Sequence, residues 1–286
     1  MSFSVRRLGP RDQRVQRLRR LLRRSSVRDS EHAFVAEGIK LVEAALDSGV
    51  PVEAVILADG WHGSAPASAV VERAAAAGVA IFELGPGIME RVADTVSPQA
   101  VCAVVASLEI SLHDLLSRTA PKPHPTASGP DPRAGVVLVC VDVRDPGNLG
   151  AVLRIAGATG VVGVICCAGT VDPFNPKVVR ASAGAVFQVP IVVGTAPSEA
   201  LDSLGEAGYR RWATEPHGGT DYAVADLDGR VALVLGNEGA GLPAEVVSRL
   251  DGSLTIPMQA GTESLNVAMT SAVLCFDIVR RCRSAP

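Results

Sequence analysis

VVLVCVDVRDPGNLGAVLRIAGATG, residues 136–160, is the stretch whose reading decides the fold. Six consecutive apolar residues, Val136 to Val141, form a short run of the kind found in strands buried on both faces. Pro146 and Gly147 then make a tight turn, and residues 147–159 carry a helical pattern. Two later blocks repeat the design: VALVLGNEGAG at 231–241 and LTIPMQAGTESLNVA at 254–268. In each, an apolar strand stops abruptly in small and polar residues.

Working outward, strands are expected at 136–142, 161–167, 188–193, 209–213, 231–236 and 253–256. Helices are expected between them at 147–159, 176–184, 197–207, 243–250 and 264–282. Strands alternating with helices specify an α/β fold built on a parallel sheet covered on both faces. Ligands of such sheets bind in a crevice beyond the carboxyl ends of the strands, where the three blocks fall. Upstream, TAPKPHPTASGPDPRA at 119–134 holds five prolines and reads as a linker. It divides the chain into a first domain, 1–117, a linker, 118–134, and a second domain, 135–286. The first domain reads as a smaller α/β unit, with helices at 11–24, 36–49, 67–78 and 87–94 and strands at 52–58, 79–84 and 100–107.

The 286 residues are 48% apolar, with mean hydropathy +0.27, so a large core can form, and with only 3% aromatics that core is aliphatic. A broad aromatic platform for single-stranded bases is disfavoured for the same reason. The net charge of −3 conceals an asymmetry: residues 1–28 contain ten arginines and one acid, so this segment is +9 and the remainder −12. Such a block, with Arg19, Arg20, Arg23 and Arg24 at its centre, reads as a phosphate-binding arm, with a solvated helical face or an unstructured tail as the alternative. Six cysteines without a CxxC pair or a histidine at ligand spacing read as free thiols of a reducing cytosol rather than a metal site. No apolar run reaches the roughly 18 residues of a membrane span, and a cytoplasmic protein is expected.

The polar residues of the blocks are the candidates for chemistry. Asn148 can cap the helix while facing the crevice, and Arg154 interrupts the otherwise apolar AVLRIAGA. Glu238 sits among three glycines that permit close backbone approach. Ser264 reads as a helix N-cap, whereas Asn266 enters the helix as a poor interior former. Neither GxGxxG nor a phosphate loop is present, which disfavours dinucleotide and nucleoside-triphosphate binding.

Together DVRDPGNLGAVLRIAGATG, LVLGNEGAGL and IPMQAGTESLNVA resemble the SpoU/TrmH family of RNA ribose 2′-O-methyltransferases, within the SPOUT superfamily. The resemblance spans residues 136–282; the preceding part resembles, on element order and EGIKLVEAAL, a ribosomal-protein-like RNA substrate-binding domain. It implies a parallel-sheet domain with a C-terminal trefoil knot, S-adenosylmethionine as cofactor, no metal, and a homodimer with the site near the subunit interface. By motif, Gly236, Ile256 and Leu265 would line the cofactor pocket, with Asn237, Gly241, Met258 and Thr214 beside them. Asn148, Arg154, Glu238, Ser264 and Asn266 would serve substrate binding and catalysis, and Arg180 would grip RNA phosphate. The implied substrate is structured RNA, with 23S ribosomal RNA favoured and tRNA the alternative; a non-catalytic RNA-binding protein of the same fold is the competing reading.

Overall fold

The computed structural model describes residues 5–93, 98–118, 135–259 and 261–284. The chain divides into two compact units: one comprises the residues up to Leu108 together with Phe174–Phe187, the other Glu109–Pro173 and the residues from Gln188 onward. This division falls nine residues before the boundary expected at Ser117, and the proline-rich stretch at 119–134 lies outside the described residues.

The first unit runs β1 (Arg6–Leu8), α1 (Gln13–Arg23), α2 (Ser25–Glu31), β2 (Ala33–Glu37), α3 (Ile39–Asp47), β3 (Val52–Leu57), α4 (Ala65–Ala76), β4 (Ala80–Leu84), α5 (Ile88–Val92) and β5 (Val101–Ala106). Its sheet has the order β1-β4-β3-β5-β2. The arginine-rich segment is therefore structured. Asp12 caps α1 through its carboxylate, and Val15, Leu18, Leu21 and Leu22 are buried at helical spacing, which turns the arginines outward. β1, α2 and β2 were not legible in the sequence: the all-buried AFVAE of β2 is too short to show a period.

In the second unit α6 (Leu112–Leu116) precedes β6 (Val136–Cys140), α7 (Pro146–Thr159) and β7 (Gly163–Cys166). The chain then contributes α8 (Pro176–Ala181) to the first unit before β8 (Ile191–Val193), α9 (Pro197–Glu206), β9 (Arg210–Thr214), β10 (Thr220–Asp221), β11 (Val231–Leu235), α10 (Ala244–Val247), β12 (Gly252–Thr255) and α11 (Val267–Ser284). All seven strands are parallel, in the order β10-β12-β9-β11-β6-β7-β8. β6 and β11 lie side by side near the middle and every residue of both is buried, as their unbroken apolar runs require. α7 and α11 pack against each other. α6, expected in the first domain, instead inserts Leu115 into this core beside Ile165, Val192 and Leu204.

The excursion at 174–187 is built as part of the first unit. Phe174 and Phe187 stand 4.9 and 6.1 Å from the Phe34 ring of β2. No helix among the described residues is long and apolar enough to cross a membrane.

Gly163 marks a tight approach in the second unit: a Cβ there would lie 2.4 Å from Leu115 Cδ1 and 2.8 Å from the Pro190 carbonyl oxygen. Gly163→Ala is expected to cost about 1–3 kcal/mol through overpacking, read as a lower thermal midpoint. An unchanged midpoint would show that α6 yields without cost.

Candidate active site

The carboxyl ends of β6, β9, β11 and β12 border one cleft of about 380 Å³. Its lining includes eleven of the sequence candidates: Asn148, Thr214, Gly236, Asn237, Glu238, Gly241, Ile256, Met258, Ser264, Leu265 and Asn266. Sequence reasoning missed Glu215, Pro216, Gly239, Leu242, Leu254, Val267, Thr270 and Leu274, which complete the lining. Most of these are apolar or small and carry no chemical signature; only proximity to a candidate could have signalled them.

The turn after β11 is closed by reciprocal backbone hydrogen bonds: Asn237 N–H donates to the Gly241 carbonyl at 3.1 Å, and Gly241 N–H to the Asn237 carbonyl at 3.0 Å. A Cβ on Gly236 would lie 2.8 Å from the Gly241 backbone, so only glycine allows the loop to fold onto itself here. Asn237 Oδ1 accepts from the Gly239 and Ala240 N–H groups, and its Nδ2 donates to the carbonyl of Asp142 at 2.9 Å. Asp142, at the end of the β6 run, adopts φ 56°. Its carboxylate accepts from Asn237 Nδ2 at 3.2 Å and from Arg144 Nε at 2.9 Å, contacts that hold an aspartate in this uncommon region.

Three polar side chains then run in line. Asn148 Nδ2 donates to Glu238 Oε1 at 2.9 Å; Asn266 Nδ2 donates to Asn148 Oδ1 at 2.7 Å; Asn266 Oδ1 accepts from the Ala268 N–H at 2.9 Å. The direction of this chain is dictated. An ionised carboxylate only accepts, so Asn148 must present its amide nitrogen to Glu238 and its oxygen to Asn266. Asn266 must then donate to Asn148 and use its oxygen on the helix. Glu238 also accepts from the Asp145 N–H at 3.2 Å and the Arg144 N–H at 3.4 Å. Partial burial alone would raise the Glu238 carboxyl; the hydrogen bonds from Asn148 and from the backbone N–H groups of Glu238, Asp145 and Arg144 outweigh it and hold the group below its ordinary range.

Two capping expectations are corrected. Asp145, not Asn148, caps α7, accepting from the Asn148 N–H at 2.8 Å. Asn266, not Ser264, caps α11; helix formation begins only at Val267, so Asn266 lies before the helix rather than inside it. Ser264 is exposed on the cleft wall, and its hydroxyl has no hydrogen-bond partner among the described residues.

Arg154 is not brought to this cleft. It lies six residues beyond Asn148, which on an α-helix is about 9 Å along the axis and about 240° around it. It is exposed and makes no hydrogen bond or ion pair among the described residues. Arg180 belongs to the first unit, where its guanidinium sits 2.8 Å from Glu37, a carboxylate only 5% exposed. Sequence cannot show this partner because it is 143 residues away. Of the basic surface candidates, Arg20 approaches Glu31 at 3.6 Å, whereas Arg19, Arg23 and Arg24 are exposed without an ion pair among the described residues.

None of the described residues that line the cleft is a cysteine. Cys102, Cys140, Cys166, Cys167 and Cys275 are buried and free, and burial pushes Cys167 and Cys275 up to about 12. Among the described residues no group of three or more His, Cys, Asp and Glu side chains is arranged to hold a metal.

Residues 135–276 match the SpoU rRNA Methylase family, and residues 12–103 an MRM3-like substrate binding domain. The chain is 31% identical over 251 residues to the 23S rRNA (guanosine(2553)-2′-O)-methyltransferase RlmP of Bacillus subtilis, an alignment that takes in 88% of this chain and 90% of the relative. The chain belongs to the SpoU methylase family. An uncharacterized tRNA/rRNA methyltransferase of Synechocystis is 30% identical over 93% of this chain and 90% of its own length. Among solved structures, an AdoMet-bound rRNA methyltransferase from Sinorhizobium meliloti aligns with TM-score 0.78 and 29% identity over 97% of this chain and 98% of that one. The SpoU methyltransferase AviRb from Streptomyces viridochromogenes, in complex with AdoMet, aligns with TM-score 0.81 and 25% identity over 96% of this chain and 100% of that one.

Asn148→Asp tests the polar chain. The change removes the donor to Glu238 and sets a second carboxylate against it, so one of the pair must titrate upward. The wild-type contribution of Glu238 is present above the ordinary carboxylate range and is lost only as pH falls through its lowered value. The variant has the opposite sign: stability present at low pH is lost as pH rises through the raised value. Denaturant unfolding from pH 5 to 8 should show a midpoint that falls for the variant and stays level for the wild type. Parallel curves would show that the two side chains do not couple.

Proposed function

We propose that this chain transfers a methyl group from S-adenosylmethionine to a ribose 2′-hydroxyl of structured RNA, with 23S ribosomal RNA the favoured substrate. The observation that carries the reading is the lining of the cleft. It combines the hydrogen-bonded polar line of Glu238, Asn148 and Asn266 with the apolar side chains of Leu242, Leu254, Ile256, Met258 and Leu274. This suits a cofactor with an apolar-faced adenosine and a charged amino-acid end, held against a sugar. Gly236, Ile256 and Leu265 would contact it through their backbones, with Thr214, Asn237, Gly241 and Met258 beside them. The C-terminal trefoil knot implied by the resemblance belongs to this proposal, as does a cytosolic setting in keeping with five buried free thiols.

When bound, the cofactor supplies an activated methyl on a sulfonium; the protein's task is placement and removal of one proton. Glu238 braces rather than abstracts, because its oxygens already accept three donors from other residues. Asn148 is likewise committed at both ends of its amide. The Ser264 hydroxyl is free to bind the target nucleotide. Arg154 would hold the ribose-phosphate through the planar donor fork of its guanidinium and ease departure of the hydroxyl proton to solvent or phosphate.

Arg154 reaches such a position only from a second copy. α11, which packs along α7, exposes Met269 (62%), Phe276 (53%) and Val273 (37%) at spacings of four and three residues, an apolar stripe that a homodimer would cover. The dimer then completes each cleft with Arg154 of the other copy.

Arg154→Ala should lower methyl transfer to total ribosomal RNA at least about 100-fold, as loss of positioning does, with cofactor affinity by calorimetry unchanged. Mixing Arg154→Ala and Glu238→Ala chains, each inactive alone, should restore about a quarter of the activity, since half of randomly mixed dimers hold one intact site. Mixtures as inactive as either parent would place Arg154 outside the partner's cleft. Separately, replacing Arg19, Arg23 and Arg24 by Gln should flatten the dependence of RNA affinity on salt, by about 0.7–0.9 in log–log slope for each phosphate no longer neutralised. An identical slope would remove these arginines from the RNA interface.

A further inference from the structure

On the α1 side of the first unit's sheet, register places Ala54 of β3 directly beside Ala80 of β4, and Ile56 beside Phe82. α1 seals Ile56 by laying Leu18 into the core, but nothing large stands over the two alanines. The result is a notch of about 240 Å³ with an apolar floor.

Its rim is polar and specific. The Arg14 guanidinium lies over the Phe82 ring, 4.9 Å from the centroid. Three residues further along α1, and so beside Arg14 on the same face, Arg17 donates to Glu53 at 2.6 and 3.4 Å and to Glu31 at 2.6 Å. A guanidinium has five N–H groups, so two on Arg17 remain for an incoming acceptor, and the Glu53 carboxylate keeps lone pairs for an incoming donor. The rim thus offers a planar cation backed by an aromatic ring and, next to it, both a donor and an acceptor. Around it lies the +9 segment, with Arg19 and Arg23 exposed and unpaired among the described residues.

We propose that this notch receives one unstacked base of the RNA substrate, its face against the Arg14–Phe82 pair and its edge on Arg17 and Glu53, while the neighbouring arginines carry the flanking phosphates. Base faces stack on guanidinium planes and aromatic rings, and base edges always carry both donors and acceptors, which is the complement of this rim. The assignment rests on the RNA-modifying reading above and adds to it a substrate contact remote in sequence from the three blocks. It also revises the inference from aromatic content: one phenylalanine suffices where a cation shares the stack.

The test is direct binding by the full chain. Short single-stranded oligoribonucleotides carrying a central photoreactive thiouridine are titrated by fluorescence anisotropy, then crosslinked and mapped by mass spectrometry. The crosslink should fall on the strand containing Ala80 and Phe82. Phe82→Leu and Arg14→Lys, the second retaining charge and leaving the core untouched, should each weaken binding by about tenfold, the loss expected for one stacked base, with cofactor affinity unchanged. Arg19→Gln should weaken binding and flatten its salt dependence without moving the crosslink. A wild-type crosslink elsewhere, or affinity within twofold of wild type in Arg14→Lys, overturns the proposal. Methyl transfer by the wild-type chain is measured in parallel: a crosslink in the notch without transfer would leave the base site standing and sink the methyltransferase reading instead.

Discussion

The second unit's site depends on one constraint: Glu238 can only accept. From that follows the orientation of Asn148, then of Asn266, and then the start of α11, whose first N–H groups bond to Asn266 Oδ1. A carboxylate after β11, an amide in the first turn of α7 and an amide before α11 thereby lock three chain segments at one place. Reversing either amide would set two donors or two acceptors against each other at under 3 Å. The polar line is thus a positioning device as well as a surface, tying together residues of which most lie in loops.

The sheet makes that constraint usable. Parallel strands deliver all their carboxyl ends to one side, so the turns after β6, β9, β11 and β12 meet although they are up to 118 residues apart in the polar contacts they make. The strained Asp142 and the self-closing Gly236–Gly241 turn are local costs offset by the bonds that Asn237 makes to both loops. The first unit uses the same physics differently. Its mixed sheet is roofed by α1, whose buried leucines point the arginines at solvent, and the low floor over Ala54 and Ala80 is what the roof leaves uncovered.

Much of the site was legible because its chemistry is carried by residue types that a buried strand end does not otherwise need. Asn, Glu and Ser beside glycine turns stand out against Val, Leu and Ile, and five candidates of these types, Asn148, Asn237, Glu238, Ser264 and Asn266, line one cleft; the other six that line it were implied by the family resemblance. The capping roles were misassigned because Asp145 and Asn148, or Ser264 and Asn266, are equally good caps by type and only backbone geometry separates them. The short strands β1, β2 and β10 were missed because a few residues cannot display a period.

By itself, the sequence determined the fold class, the parallel sheet of the second unit, the identity of the polar blocks and the charge asymmetry, since each of these is a property of residue type and spacing along the chain. Only the tertiary structure decided that Arg154 is not among the residues lining the cleft, that Arg180 pairs with Glu37, that α6 belongs to the second core, and that Phe174–Phe187 belongs with the first unit. These depend on which distant partner a side chain meets. A local pattern states what a residue can bond to, and only packing states what is within reach.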